Sequence, residues 1–143
     1  MPFPPIRWCL VCEDIRIENR RLVSLLGFYG IAPDVEILVA DFNRPVDRLA
    51  FYISAHGASD GQHHRVSFEL RDPHGAVVLG PVHTAPTGDP PPAPATIRVA
   101  FIFTATAVAL PREGVYQIVI RVDGGEHFTS NFTVRQGRPE EFE

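Results

Sequence analysis

The sequence predicts an all-β fold: a single antiparallel β-sandwich of about eight or nine strands, immunoglobulin-like or Greek-key in its connections, with little or no helix. Three observations predict it. Short runs rich in Val, Ile, Phe and Tyr alternate with Gly, Pro, Asn and Asp turn residues. No segment carries a sustained apolar stripe at helical spacing. Leu110-Pro-Arg-Glu-Gly-Val-Tyr116 sets a Gly two residues ahead of a Tyr that opens an alternating strand. That is the pattern of a tyrosine corner, in which the Tyr116 hydroxyl bonds backbone a few residues upstream. A chain of 143 residues fits one domain. It carries a Pro-rich arm at 1–7, a Pro-rich crossover loop at 84–96 and an acidic tail at 137–143.

The elements follow in order. Met-Pro-Phe-Pro-Pro is hostile to helix, and it lacks the basic start and apolar run of a signal peptide. Trp8 to Glu18 reads as a strand. Residues 20–26 read either as a strand returning across Asn19-Arg20-Arg21 or as a short helix using Leu22, Leu25 and Leu26; the strand is preferred. Val35 to Phe42 follows Pro33-Asp34, and Leu49 to Ala55 follows Arg44-Pro45 and is expected to stop at His56-Gly57. Along Arg65 to Arg71, Val66, Phe68 and Leu70 face one way and the polar residues the other. Asp72-Pro-His-Gly75 has the Pro and Gly positions of a type I turn, so Ala76 to Leu79 completes a hairpin. Thr84 to Thr96 holds five prolines, is polyproline-like, and is expected to cross between sheets. Ile97, Val99, Phe101 and Phe103 mark the next strand. Val115 to Val122 alternates, and Asp123-Gly124-Gly125 is a hairpin turn. Phe128, Ser130, Phe132 and Val134 follow, with a bulge expected near Ser130-Asn131. Gly137 to Glu143 is expected to fray.

Composition excludes several function classes. There are 13 Arg and no Lys, so no lysine Schiff base, lysine nucleophile or P-loop lysine exists. A net charge of −4 and a pI near 5.8 argue against nucleic-acid binding. No apolar run approaches the roughly 20 residues of a membrane span. The expected location is the cytoplasm. Cys9 and Cys12 form a C-x-x-C, but residues three apart on a strand point to opposite faces, and no second pair completes a zinc site. Two reduced thiols, at least one packed as a small hydrophobe, are expected. No cofactor is expected.

Cys12-Glu-Asp-Ile-Arg-Ile-Glu18 followed by Ser24-Leu-Leu-Gly-Phe-Tyr-Gly30 resembles the start of an uncharacterised family of small bacterial proteins. Its motif here reads C-E-D-I-R-x-E … S-L-L-G-F-Y. Pro73-His-Gly75 and Gly114-Val-Tyr116 with Val122-Asp-Gly124 fit the same family, so the resemblance runs over about residues 9–135. Where the family carries Gly-Lys at the first turn, this chain has Arg20-Arg21. The resemblance implies a β-sandwich and supplies no activity.

Two constellations are candidates for binding. Glu13, Asp14, Arg16 and Glu18 crowd the first strand. On a regular strand Val11, Glu13, Ile15 and Ile17 share one face and Asp14, Arg16 and Glu18 the other, with i,i+2 neighbours about 7 Å apart. They form either a solvated face of weak ion pairs or a polar recognition strip. The segment 56–64 holds His56, Asp60, His63 and His64, residue types that hold zinc or a similar ion; the alternative is a flexible polar loop. No Ser/His/Asp triad and no glycine-rich phosphate motif is legible, so no catalytic residue is assigned. The expected function is a non-catalytic protein-binding or scaffolding module, with a partner protein or a second copy joined through an edge strand. The alternatives are a metal-binding protein or metal-dependent enzyme built on the histidine segment, and a small-ligand binder between the sheets.

Overall fold

The computed structural model describes residues 3–18, 23–84 and 90–142. The described chain is all-β, with no α-helix. Its strands are β1 (Ile6–Ile17), β2 (Val23–Ile31), β3 (Glu36–Val39), β4 (Val46–Ser59), β5 (Val66–Arg71), β6 (Val77–Thr84), β7 (Ala95–Val108), β8 (Gly114–Val122) and β9 (Gly125–Gln136), and a 3₁₀ turn (Pro139–Phe142) follows. The first sheet has the order β2-β1-β4-β7 and the second β3-β9-β8-β5-β6. Among the described residues no helix is long and apolar enough to cross a membrane.

One apolar cluster joins the sheets. Cys9, Val11, Leu49, Phe51, Ile53 and Phe103 of the first sheet meet Val66, Phe68, Leu70, Ile118, Ile120 and Phe132 of the second. Phe68 lies at the centre, with its ring centroid 4.6 Å from that of Phe51 and 4.9 Å from that of Phe103. Each fully buried side chain of this kind contributes roughly 1.5–3 kcal/mol. Phe3 plugs one end of the cluster, 6% exposed, so the proline arm is built into the core.

The local readings hold where local chemistry decides them. Val23–Leu26 belongs to β2, which pairs antiparallel with β1 from Leu10↔Ile31 to Ile17↔Val23; the helix alternative fails for those residues. The expected turn at Asn19-Arg20-Arg21 lies outside the described residues. The Gly75 N–H donates to the Asp72 carbonyl, and Asp72 Oδ1 accepts from the N–H groups of His74 and Ala76, closing the predicted turn. Asp123 (φ +52°) and Gly124 (φ +85°) form the β8–β9 hairpin turn with both residues left-handed, as a type I′ turn requires. The loop from Thr84 to Ala95 passes from the second sheet to the first, as predicted; residues 85–89 of it lie outside the described residues.

Five expectations are corrected. First, the sheets are not wholly antiparallel: β3 runs parallel to β9, Glu36↔Thr133 through Val39↔Gln136. Second, β4 does not stop at His56-Gly57 but continues to Ser59 against β7. Gly57 lets Pro5 pack close, 3.0 Å from where a Cβ would sit, and the His56 N–H donates to the Pro5 carbonyl. Third, the β9 bulge is not at Ser130-Asn131, where the register is regular. It lies at His127, between Ile120↔Phe128 and Arg121↔Glu126, and His127 Nε2 donates to the Pro4 carbonyl (3.0 Å). Fourth, residues 137–142 of the tail are packed against the sheet and held by hydrogen bonds and ion pairs. The Gly137 N–H donates to the Val39 carbonyl, and Arg135 grips Glu36 and Glu141 together. Fifth, Val11 and Ile15 do not share one environment. The β1–β2 register shifts between Val11 and Cys12; Ile15 clusters with Cys12 and Ala50, and Ile17 is 70% exposed.

The tyrosine corner is present. The Tyr116 hydroxyl donates to the Arg112 carbonyl (2.8 Å) and accepts from the Arg112 N–H (3.2 Å), while its ring is fully buried and stacked on Phe132. Gly114 (φ +134°) gives the Pro73 ring room beside it. Removing the hydroxyl leaves two backbone groups of Arg112 without that partner. Tyr116→Phe should therefore lower the free energy of unfolding by about 1–2 kcal/mol with an unchanged far-UV spectrum; urea titration of both proteins checks this.

Candidate functional site

The register of the first sheet fixes its outer face. Cys9, Val11, Phe51 and Ile53 point into the core, so Leu10, Cys12, Ala50 and Tyr52 point away from it. Residues directly opposite share a face. Leu10 thus aligns with Ile31 and Tyr52, Cys12 with Phe28 and Ala50, and Tyr52 with Ile102. Trp8 stacks on Tyr52 with ring centroids 5.4 Å apart. The result is an apolar field across β2, β1, β4 and β7. Phe28 is 55% exposed, Ile31 49% and Leu26 39%. An outer sheet face is ordinarily solvated and polar, and that of the second sheet is mostly polar, with Val115 and Val119 set among polar residues. There Ser67, Glu69, Arg71, Gln117, Arg121, Thr129 and Asn131 face out, and Glu69 is held by Arg71 and Arg121.

The candidate strip Glu13, Asp14, Arg16 and Glu18 borders this field, and only part of it comes together. Asp14 Oδ2 takes Arg48 at 2.8 Å and Arg16 at 3.7 Å, and Oδ1 accepts the Ile15 N–H. Arg48, 34 residues from Asp14, was not a sequence candidate; only the β1–β4 pairing reveals it. Glu13 turns elsewhere and lies over Gly27 (φ +62°), where its carboxyl carbon is 2.6 Å from the place of a Cβ. Burial, then the charge of Glu13, raises the Tyr29 pKa. Glu18 is exposed at the end of β1.

The histidine segment also divides. His56 sits within β4 opposite Arg98. His64 is the organised member. Its Nδ1 lies 2.6 Å from Asp123 Oδ2 and its Nε2 2.9 Å from Asp60 Oδ1. Two carboxylates facing the two ring nitrogens favour the charged form, which donates from both. A metal ligand instead needs a neutral ring with a free lone pair. Among the described residues no group of three or more His, Cys, Asp or Glu is arranged to hold a metal ion. Asp123 also accepts the Arg65 N–H and Asp60 the Gln62 N–H. The triad therefore ties the β4–β5 connection to the β8–β9 turn. The Phe3 ring rests edge-on to His64 with centroids 5.5 Å apart.

A cavity of about 160 Å³ opens beside that ring, lined by Phe3, Pro91, Ile97, Val99, Phe101 and His63. Between the β6 and β7 edges, Phe68, Leu79, Val82 and Phe103 line another of about 210 Å³. Both are smaller than the roughly 300 Å³ of a small-molecule site, whereas open clefts of about 410 Å³ beside Glu13, Tyr29 and Arg48 and about 480 Å³ beside Arg65, Glu69 and Arg121 exceed it. Cys9 and Cys12 are free and buried, one in each apolar cluster. Burial, then Cys12, pushes the Cys9 thiol up to about 12; burial, then Asp14, pushes Cys12 up to about 11. Neither is a reactive thiolate at neutral pH.

Desolvation works against a charged His64, but the bonds to Asp123 and Asp60 outweigh it and raise its pKa above the usual 6.5. The raised value means that this stabilisation is complete below about pH 6.5 and is lost as pH rises through the folded-state pKa. Both carboxylates are shifted down, Asp60 chiefly by His64 and Asp123 by the Arg65 N–H and then His64. Their share is present above about pH 4 and is lost as pH falls through their folded values. The melting temperature should therefore decline from pH 6 to pH 9, and His64→Gln should flatten that decline. Thermal denaturation at intervals of half a pH unit on both proteins measures it; equal slopes would remove the role given to His64.

No curated protein matches the chain. A family model does, over residues 7–135, from the second residue of β1 to the penultimate residue of β9. The matched span holds the apolar field, the Asp14–Arg48 pair, the His64 triad and the tyrosine corner, and the chain belongs to DUF6941, a family of unknown function.

Proposed function

We propose that the chain is a non-catalytic protein-binding or scaffolding module: a single β-sandwich domain of immunoglobulin-like kind that presents the outer face of its first sheet to a protein partner. The observation that carries this reading is the apolar field formed by Trp8, Leu10, Tyr52, Phe28 and Ile31 on a face that folding alone does not bury. Contiguous exposed apolar surface marks interaction sites, and aromatic side chains are enriched at the centre of interfaces. The Asp14, Arg16 and Arg48 group supplies a charged border at one end, as the rim of an interface does. The shared core and the tyrosine corner support the sandwich. Two free buried thiols support a reducing, cytoplasmic setting.

Affinity capture from the native cell tests the reading. The tagged chain and its Phe28→Glu variant are compared by mass spectrometry. At least one protein should be retained by the native chain and reduced about tenfold or more by the substitution, a loss of ~1.4 kcal/mol or more. The variant should melt within a few degrees of the native chain, because Phe28 lies outside the shared core. Identical captures by the two proteins would count against the apolar field.

A further inference from the structure

The two sheets end in four edges, and three of them carry features that prevent strand addition. β3 is only four residues long. β6 is interrupted by Gly80 (φ +92°) and by Pro81, which has no N–H, and its register against β5 shifts twice. β2 is bent at Gly27 (φ +62°) and Gly30 (φ +147°). Short length, Pro and bulges are the usual means of blunting an edge. β7 has none of these over Ala95–Thr106. It pairs with β4 in unbroken register, from Ser59↔Ala95 to Arg48↔Thr106, and no described strand pairs with its other side. Its sequence, Ala-Thr-Ile-Arg-Val-Ala-Phe-Ile-Phe-Thr-Ala-Thr, is rich in β-formers and holds one charge, Arg98.

We infer that β7 is the dimerisation edge, pairing antiparallel with β7 of a second copy about a two-fold axis normal to the first sheet. This rests on the protein-binding reading above and names one partner for it. A strand with a single charge suits its own copy. Centring the axis on Ala100 or Phe101 sets Arg98 opposite Ile102 or Thr104, so no like charges meet. The regular stretch spans about 41 Å at roughly 3.4 Å per residue, and a seam about 10 Å deep takes on the order of 400 Å² from each copy. That total of about 800 Å² belongs to weak, reversible association, with main-chain hydrogen bonds supplying its direction. The two-fold keeps both outer faces on the same side. The product is an eight-stranded sheet with two apolar fields side by side.

Light scattering from about 1 to 200 μM protein, a range suited to weak association, combined with amide exchange at each concentration, tests the inference. The expected result is a concentration-dependent dimer in which amides of residues 95–106 exchange more slowly as dimer forms. Ala100→Lys with Thr104→Lys, both at exposed positions, should raise the dissociation constant about tenfold or more. Phe28→Glu should leave it unchanged. A strict monomer over that range overturns the inference, as does a dimer with unprotected β7 amides or one abolished by Phe28→Glu. A monomer that still captures a Phe28-dependent partner overturns the dimer alone and leaves the protein-binding reading standing.

Discussion

Phe51 and Phe68 meet ring to ring across the gap between the sheets, and that contact sets the orientation of β4 and β5. Alternation then leaves no freedom. With Leu49, Phe51 and Ile53 turned inward, Ala50 and Tyr52 must face out. The pairing of β1 with β4 carries the choice outward: Leu10 and Cys12 take the side of Tyr52 and Ala50, and β2 follows with Ile31 and Phe28. A slip of one residue would exchange the two faces. The apolar field is thus fixed by the same contact that builds the core.

Arginine performs most of the long-range fastening. Arg135 reaches Glu36 on β3 and Glu141 in the closing turn, joining both to β9. The bond to Arg135, with the Arg138 N–H, holds Glu141 down at about 2. This clamp accompanies the one parallel pairing, in which a four-residue strand has few ladder bonds of its own. Arg48 brings β4 to Asp14, and Arg121 brings β8 to Glu69. A planar guanidinium with five donors suits such shared contacts better than an ammonium, so a chain without lysine loses nothing in these places.

What was legible in the sequence was what depends on near neighbours. The Asp72–Gly75 turn, the Asp123-Gly124 hairpin and the Tyr116 corner each rest on groups within a few residues, and each is present. The failures share the opposite property. His127 bulges where its ring meets Pro4, which is 123 residues away. His64 is bonded to Asp123, 59 residues on, a partner that the spacing within 56–64 does not show. β4 extends past His56 because it keeps its register with β7, from Gly57↔Ile97 to Ser59↔Ala95, about 40 residues away. No periodicity encodes those meetings; only the folded chain brings the partners together.

The energetics of the outer face connect its two proposed uses. Burial of a large apolar side chain is worth roughly 1.5–3 kcal/mol. Phe28, Ile31, Leu26 and Trp8 retain between 36% and 55% of their exposure. Covering what remains would therefore yield on the order of 4 kcal/mol in all. Association costs about 4–15 kcal/mol before any net affinity appears, so one field alone binds weakly at best. Two fields on one continuous sheet change the balance, because a bivalent partner meets the second field at an effective concentration set by geometry. The unblunted β7 edge is the feature of the fold that would place two such fields together.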